Sequence, residues 1–391
     1  MFRKETVLED KAFKVLEKIP TRVFASDVTA SHYVAGLIAE TIRRHNGQGK
    51  PTVLGLATGN TPVNVYRELI RLHREEGLDF SRVVTFNLDE YWPMPPDSIQ
   101  SYYRWMRENF FDHVNVPAAN IHIPDGTLPP SEVASFCDIY EERIRAAGGI
   151  DIQILGIGRT GHVGFNEPGS SRESRTRLIS LDRVTRMDAA ADFFGEENVP
   201  RQAITMGVGT ILAAKRILLL AFGEQKAPII RKAVEGPITD EVAASFLQEH
   251  DNAEVICGPA SSANLTRLAT PWLLGEIEWT PGYERRAVIW LSLTAGKSIL
   301  RLDQDDYDHH HLASLVRQAG PVDDLNIRVG RSLWDTLLRQ GMAPTGKRMI
   351  CFRPAMEATA SKRRPALVVH GEWIPLSSIW RRTESSLTVN A

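Results

Sequence analysis

The stretch D-I-Q-I-L-G-I-G-R-T-G-H-V-G-F-N-E-P, residues 151–168, is the most informative part of this sequence. Its first five residues form a short apolar run that predicts a buried β-strand. The remainder contains several glycines and a proline, which interrupt both helical and strand patterns. A glycine-rich loop that leaves the end of a strand and carries His162 and Glu167 is typical of an active-site loop.

Gly156, Gly158 and Gly161 in this loop have the spacing of the dinucleotide-binding fingerprint G-x-G-x-x-G. In that fingerprint the third glycine opens a helix whose N-terminus faces a pyrophosphate. The residues that follow here, H-V-G-F-N-E-P-G-S-S, cannot sustain a helix. We therefore expect no nicotinamide or flavin cofactor. If the segment is not an active-site loop, the alternative is a tight structural turn.

The bulk composition excludes several classes of protein. The chain has 391 residues, of which 43% are hydrophobic and 24% charged, as expected for one large or two medium globular domains. A net charge of -2 gives no electrostatic footprint for nucleic acid or an anionic membrane. Three separated cysteines and the lack of a signal peptide or long apolar run predict a cytoplasmic protein with reduced thiols.

Predicted strands alternate with predicted helices along most of the chain, and several of these strands are continuous apolar runs. This pattern indicates a parallel sheet covered on both faces, that is, a Rossmann-like, doubly wound α/β fold. Such sheets bind ligands at the carboxyl ends of their strands. Besides the strand before the loop, the predicted strands are T-V-L-G-L-A, V-V-T-F-N-L, T-R-L-I-S-L, R-I-L-L-L-A-F and A-E-V-I-C.

The chain divides by pattern into four segments. We expect a loosely structured lead-in over residues 1–25 and the main α/β domain over 26–275. A smaller α/β extension is predicted for 276–352, with A-V-I-W-L, S-I-L-R-L and D-L-N-I-R-V as strands, and an irregular tail for 353–391.

Residues 58–61, T-G-N-T, follow one predicted strand and precede a proline that suits the first turn of a helix. Backbone N–H groups there, with Thr58, Gly59, Asn60 and Thr61, form a cradle that suits an anion. An ordinary helix N-cap explains the same residues equally well.

Asp89 and Glu90 come directly after a buried strand, where a carboxylate is not needed for solubility. One of them is expected to face the crevice at the end of the sheet, where a carboxylate can act as a general base. A solvated strand end with a turn-forming aspartate is the alternative.

His162, Glu167 and Lys226 are the remaining candidates. A single histidine is more often structural, but Glu167 lies close enough in sequence to orient and charge His162. Lys226 begins a helix after the most apolar strand, where it either reaches a phosphate or is a solvated helix residue. Three consecutive histidines at 309–311 cannot share one face of a helix or strand, so we predict a solvated loop there and no metal site.

Several of these loops together resemble the glucosamine-6-phosphate deaminase family. The resemblance covers roughly residues 20–270 in order. Its motifs are V-V-T-F-N-L-D-E-Y, S-Y-Y-R-W-M-R-E-N-F-F-D-H-V, G-H-V-G-F-N-E-P, A-I-T-M-G-V-G-T-I-L, G-E-Q-K-A and S-F-L-Q-E-H.

The resemblance implies conversion of glucosamine 6-phosphate and water to fructose 6-phosphate and ammonia, without a metal or organic cofactor. Asp89 would move the proton between C2 and C1, and His162, with Glu167 as its partner, would assist opening of the sugar ring. The 58–61 turn and Lys226 would hold the phosphate, with Glu90 and Gly161 also in the substrate site. A homo-oligomer is a reasonable expectation from the family.

Two departures from the family pattern stand out. The family usually has N-D-G-H where this chain has R-T-G-H, so Thr160 replaces a catalytic carboxylate. Threonine forms hydrogen bonds but does not carry a negative charge. The family also commonly has a phosphate-binding arginine just before a Phe-Phe pair, where residues 189–194 read A-A-A-D-F-F. This loss should weaken phosphate binding unless Arg175, Arg177 or Arg186 compensates.

The R-T-G-H form resembles longer chains in which a de-N-acetylase-like domain of the LmbE/PIG-L type follows the deaminase part. K-R-M-I-C-F-R-P suits the first strand of such a domain, but its P-H-P-D-D metal motif does not follow. We therefore expect residues 353–391 to be a truncated or frame-altered remnant without the second activity.

Two alternatives to the deaminase interpretation remain open. Thr160 and the missing arginine favour a catalytically weak protein that binds and senses a sugar phosphate. An isomerase or lactonase acting on another sugar phosphate is the third possibility.

Overall fold

The computed structural model describes residues 16–339, 366–369 and 372–375. Their contacts divide the chain into two compact units, Met1–Ala269 and Thr270–Ala391. Residues 340–365, which contain the expected strand K-R-M-I-C-F-R-P, lie outside the described residues, as does the rest of the predicted tail apart from 366–369 and 372–375.

The first unit is built on a seven-stranded sheet with the order β1-β10-β9-β6-β2-β3-β5, and every neighbouring pair in it is parallel. This confirms the parallel sheet predicted from the alternation of apolar runs and helices. Numbered along the chain, the strands of this unit are β1 (Thr21–Val23), β2 (Thr52–Leu56), β3 (Val83–Asn87), β4 (Asp89–Trp92), β5 (Ile121–His122), β6 (Ile152–Gly156), β7 (Arg177–Ser180), β8 (Gln202–Thr205), β9 (Ile217–Ala221) and β10 (Ala253–Cys257).

Helices cover both faces of this sheet, as expected for a doubly wound fold. Alternate residues of β9 show the division, because Ile217 and Leu219 enter one apolar cluster while Leu218 and Leu220 enter the other. The helices are α1 (Asp27–Gly47), α2 (Val63–Glu76), α3 (Tyr102–Asn109), α4 (Pro130–Ala146), α5 (Arg183–Ala189), α6 (Val208–Leu212), α7 (Ala227–Glu235), α8 (Pro259–Ser262) and α9 (Thr266–Ala269).

A second, three-stranded sheet has the order β4-β8-β7 and is antiparallel. The run T-R-L-I-S-L is a strand, as predicted, but it lies in this small sheet and not in the parallel one. Asp89 and Glu90 also belong to a strand of their own, β4, which pairs Asp89 with Thr205. Asp89 therefore follows β3 in the chain but belongs to the small sheet and does not extend β3.

The prediction that residues 1–25 form a loosely structured lead-in was wrong for residues 21–23. Thr21–Val23 forms β1 and pairs with β10 at the edge of the parallel sheet. Residues 1–15 lie outside the described part of the chain.

The second unit is helical over its described residues up to 339, so the small α/β extension was predicted wrongly there. Its helices are α10 (Pro281–Ala295), α11 (Gln304–His309), α12 (Ala313–Ala319) and α13 (Val322–Arg339). The runs A-V-I-W-L and D-L-N-I-R-V lie inside α10 and α13, and S-I-L-R-L contains a short 3-10 turn. Short apolar runs do not distinguish a strand from a buried helix, and here the capping residues decide. The Thr280 side chain caps the start of α10, and Gly296 ends it with a left-handed backbone.

Two further strands, β11 (Ala366–Val369) and β12 (Glu372–Pro375), pair antiparallel within the predicted irregular tail.

Replacement of Gly207 by alanine should lower the free energy of unfolding by about 1–3 kcal/mol. A Cβ at this position would lie 2.1 Å from the Ser174 carbonyl oxygen and 2.5 Å from the Arg175 nitrogen, both backbone atoms. Urea unfolding measures the change. The matched control is Gly36→Ala in α1, where a Cβ meets nothing within 4 Å. That variant should gain about 0.5–1 kcal/mol from helix propensity. Equal effects of the two changes would contradict this account.

Candidate active site

The predicted site residues follow strands that are neighbours in the parallel sheet. The order β9-β6-β2-β3 places their carboxyl ends side by side. Lys226 follows β9, the glycine-rich loop follows β6, residues 58–61 follow β2 and Asp89 follows β3. The topology therefore places these four segments together at the carboxyl ends of the strands, although they are separate in the sequence.

The glycine-rich loop turns sharply and contains no helix over residues 157–168, as predicted. The Gly158 N–H donates to the His162 carbonyl (2.9 Å), and the Gly161 N–H donates to the Gly158 carbonyl (3.1 Å). A Cβ on Gly158 would lie 2.1 Å from Nε2 of His162, so only glycine lets the imidazole fold back over the turn. Gly161 has a φ of +92°, and a Cβ there would lie 2.7 Å from Val242. Gly161 thus permits the tight turn of this loop. Its predicted contact with substrate stays a prediction.

Two polar groups meet one nitrogen of His162. Its Nδ1 lies 2.9 Å from Thr160 Oγ1 and 3.4 Å from Glu167 Oε2. An ionised carboxylate only accepts hydrogen bonds, so Nδ1 carries a proton when it faces Glu167. The other nitrogen, Nε2, then remains for proton exchange with a ligand. The predicted pairing of His162 with Glu167 is present, and Thr160 joins it.

Glu167 is itself fixed by the start of α5. Its Oε1 accepts the Asp182 backbone N–H at 3.2 Å. Burial raises the pKa of Glu167, but the hydrogen bond and charge of His162, with Thr185 and the Asp182 N–H, bring that pKa below its ordinary value. Glu167 therefore carries a negative charge beside His162 at neutral pH.

Asp89 is buried, with only 6% of its surface exposed. Among the described residues no hydrogen bond is made to its carboxylate. Burial raises the pKa of Asp89 to about 8, and the charge of Glu90 adds to the rise. A carboxylate with this pKa can take up and release a proton near neutral pH, which is the requirement for a general base.

The loop is held against Asp89 by the small antiparallel sheet. The Phe165 N–H donates to Thr205 Oγ1 (3.0 Å), and the Asn166 amide donates to the Met206 carbonyl (2.8 Å). A Cβ on Gly164 would lie 3.4 Å from Asp89 Oδ2. Sequence analysis did not identify Thr205 and Asn166. The signal that the sequence offered was a polar residue directly next to apolar ones.

Glu90 has a different environment from its neighbour. Its Oε1 accepts the N–H groups of Tyr91 (2.9 Å) and Tyr102 (3.0 Å). Its Oε2 accepts the Ser101 hydroxyl (2.9 Å) and the Tyr103 N–H (2.9 Å). Both oxygens are occupied at the start of α3, where a negative charge is favourable. These contacts show that Glu90 anchors the start of the helix, and its predicted substrate contact stays a prediction.

Residues 58–61 lead into α2 without capping it. The N-cap residue is Pro62, which offers no side-chain hydrogen bond, and the first turn contains no acidic residue. Among the described residues, the side chains of Asn60 and Thr61 make no hydrogen bond. The Val65 N–H already donates to the Pro62 carbonyl (2.9 Å), but among the described residues the N–H groups of Val63 and Asn64 make no hydrogen bond. These two groups and the polar side chains are thus available to an anion. The ordinary N-cap, which was the alternative, is not present.

Lys226 lies between the loop and α7. Its Nζ donates to the Ile157 carbonyl at 2.7 Å. Burial lowers the pKa of Lys226, while the charge of Asp188 raises it and that of Arg159 lowers it. Lys226 is therefore a half-buried cation at the base of the loop and not a solvated helix residue.

The arginines suggested as substitutes for the missing phosphate ligand have other partners. Arg177 donates to Asn166 Oδ1 (3.0 Å) and Ser170 Oγ (3.1 Å). Arg175 lies 4.0 Å from a Glu141 oxygen and Arg186 lies 3.9 Å from a Glu196 oxygen. Sequence analysis overlooked Arg159, which pairs with Asp188 at 2.7 Å.

Within the described ranges, no group of three or more His, Cys, Asp or Glu side chains is arranged to hold a metal ion. His309 and His310 pack against each other at the end of α11. In the same part of the chain, no helix is long and apolar enough to cross a membrane.

The fold and this site define an α/β protein in which a buried carboxylate lies against a glycine-rich loop with a histidine, and in which a neighbouring helix start has no side-chain cap. Residues 25–256 match the family model of glucosamine-6-phosphate isomerases and 6-phosphogluconolactonases. The chain belongs to this family, which confirms the resemblance seen in the sequence.

Individual relatives agree with the assignment. A glucosamine-6-phosphate deaminase-like protein of Bacteroides thetaiotaomicron is 43% identical over 90% of this chain, which spans 55% of that protein. Glucosamine-6-phosphate deaminase 2 of Bacillus subtilis is 50% identical over 58% of this chain and 92% of its own. The solved structure of a monomeric glucosamine-6-phosphate deaminase, 40% identical, superposes with a TM-score of 0.60 over 63% of this chain and all of that one. A 6-phosphogluconolactonase from Trypanosoma cruzi, 21% identical over 63% of this chain and 97% of its own, shares the fold with a TM-score of 0.51.

Replacement of Asp89 by asparagine should stabilise the protein increasingly as the pH rises from about 4 to about 8. The folded pKa of about 8 lies above the ordinary 3.8, so the folded protein holds the Asp89 proton more tightly than the unfolded chain does. Wild-type stability contributed by Asp89 is therefore lost across this window, and asparagine cannot ionise. Urea unfolding at several pH values gives the difference between variant and wild type.

The control is Gly36→Ala in α1, because neither glycine nor alanine has a side chain that ionises. Its stability difference from wild type should stay nearly constant with pH. A difference for Asp89→Asn that is equally flat would contradict the buried, unpaired state of Asp89.

Proposed function

We propose that this chain catalyses the isomerising deamination of glucosamine 6-phosphate to fructose 6-phosphate and ammonia. The observation that carries the proposal is the buried, unpaired carboxylate of Asp89, held against the loop that contains His162. Relatives named as glucosamine-6-phosphate deaminases support it. Because the chain spans 55% of its Bacteroides relative, the proposal concerns this part of the chain alone.

His162 serves the opening of the sugar ring in this mechanism. Ring opening requires a proton to leave the C1 hydroxyl and one to reach the ring oxygen. Nε2 of His162 can exchange that proton, because Nδ1 is held by Thr160 and Glu167. Glu167 orients the imidazole, because its own Oε1 is fixed by the Asp182 N–H.

Asp89 carries the proton in the next step. It takes the proton from C2 of the open-chain sugar and returns it to C1, while O1 gains the proton that the C2 ammonium group loses. The aldehyde carbon thereby becomes an alcohol and the C2 ammonium becomes an iminium group. Water adds to C2, its protons pass to the nitrogen, and the nitrogen leaves as ammonium while C2 becomes the ketone, so atoms and charge balance. One carboxylate serves both carbons when it is fixed close to them, as the pairing of β4 with β8 fixes Asp89.

The phosphate occupies the space between the start of α2 and Lys226 in this proposal. The uncapped N–H groups of α2 supply positive dipole ends, and Thr58, Gly59, Asn60 and Thr61 form the turn before them. Lys226 supplies a full positive charge from the neighbouring strand end. A small-molecule sugar phosphate is thus the proposed ligand, and a homo-oligomer remains a prediction from the family.

Ammonia release from glucosamine 6-phosphate is the direct test. Wild type should release ammonia, and Asp89→Asn should reduce kcat about a thousandfold, since general-base catalysis contributes on that scale. Glu108→Gln, which removes a carboxylate that is 56% exposed, is the matched control and should retain wild-type activity.

Other outcomes favour the alternatives. If wild type releases no ammonia but the sugar phosphate raises its melting temperature, the sensor interpretation replaces the proposal. Hydrolysis of 6-phosphogluconolactone without ammonia release would favour the lactonase.

Thr160→Asp should increase kcat. The Thr160 hydroxyl lies 2.9 Å from Nδ1 of His162, so an aspartate there would add a second negative charge and stabilise the protonated imidazole. Thr160→Val, which removes the hydrogen bond and keeps the shape, should lower kcat about tenfold. Steady-state ammonia release measures both. An aspartate variant slower than wild type would show that the loop requires a neutral partner for His162.

A further inference from the structure

Arg159 and Asp188 form an ion pair immediately beside Lys226. Arg159 Nη2 lies 2.7 Å from Asp188 Oδ1, and the two side chains are 48% and 46% exposed. Lys226 contacts the carbonyl of Ile157, two positions before Arg159. The Arg159 charge acts on Lys226, so the two cations lie within electrostatic range of each other.

Within the described part of the chain, Asp188 is an acidic side chain that acts on both of these cations. Lys226 donates to a neutral carbonyl, and Asp188 supplies a single negative charge to Arg159. Repulsion between neighbouring cations is relieved best by an anion that carries more than one charge and several acceptor oxygens. A phosphate monoester has both properties, and a guanidinium matches it in a bidentate geometry.

The ion pair is also free to rearrange. Both side chains are about half exposed, so Arg159 can turn from Asp188 without loss of core packing. Exposed ion pairs contribute little to stability, and a phosphate dianion competes readily with one carboxylate.

We propose that Arg159 binds the phosphate of the substrate and that Asp188 holds Arg159 when no phosphate is present. The inference rests on the proposed function, because it takes the phosphate to lie between α2 and Lys226. Arg159 then fills the role of the arginine that residues 189–194 lack. Asp188 weakens phosphate binding by competing for the same guanidinium.

Opposite effects of two substitutions test the proposal. Arg159→Gln should weaken the binding of inorganic phosphate, and raise KM for glucosamine 6-phosphate, about tenfold, with little change in kcat. Asp188→Asn should strengthen phosphate binding about threefold, because Arg159 is released from its competitor. Calorimetric titration with inorganic phosphate measures binding without turnover.

The control is Arg43→Gln, which breaks a comparable pair with Glu76 at 3.0 Å and side-chain exposures of 51% and 43%. Glu76 ends α2, at the far end from residues 58–61. This variant should bind phosphate as wild type does.

Each result points to one conclusion. If Arg159→Gln and Asp188→Asn both weaken phosphate binding, the pair is structural and the inference is overturned. If Arg159→Gln binds phosphate like wild type, the inference is likewise overturned, whatever the activity. Opposite shifts in a protein that releases no ammonia would support Arg159 as a phosphate ligand while the proposed activity fails.

Discussion

A carboxylate buried without a hydrogen bond is the constraint on which this site depends. Desolvation of Asp89 is unfavourable for its charged form, and its pKa rises accordingly. Glu90 shows that the fold can satisfy a buried carboxylate nearby, since four donors reach its two oxygens. The contrast between adjacent residues separates their roles. One carboxylate stabilises the fold, while the other keeps a reactivity that hydrogen bonds would reduce.

A single residue connects the two sheets that hold Asp89 in place. The Leu88 N–H donates to the Leu56 carbonyl of the parallel sheet (3.0 Å), and the Leu88 carbonyl accepts the Met206 N–H (2.7 Å) beside the antiparallel sheet. Since Asp89 follows directly, it can neither extend the parallel sheet nor turn towards solvent. The same small sheet binds the glycine-rich loop through Thr205. Asp89 and the loop carrying His162 are therefore positioned by one structural element.

The sequence predicted what local patterns determine. Apolar runs gave five of the seven strands of the parallel sheet but not the short outer strands β1 and β5, and Gly164 and Pro168 excluded a helix after Gly161. The different roles of Asp89 and Glu90 could not be predicted, because Ser101 and Thr205 are remote in sequence. The strands expected after residue 276 failed for another reason. Short apolar runs in A-V-I-W-L and D-L-N-I-R-V suit a helical core equally well.

The two departures from the family pattern offset each other in charge. In R-T-G-H, arginine for asparagine adds one positive charge and threonine for aspartate removes one negative charge. In residues 189–194, the missing arginine removes one positive charge and Asp192 adds one negative charge. The site thus keeps its formal charge while a cation moves from the segment after α5 into the loop itself. Binding of an anion depends on summed charge near the site as well as on individual contacts, so a sugar phosphate remains electrostatically favoured. The difference instead concerns His162, which has Glu167 as its charged partner and a hydrogen bond with the uncharged Thr160 hydroxyl.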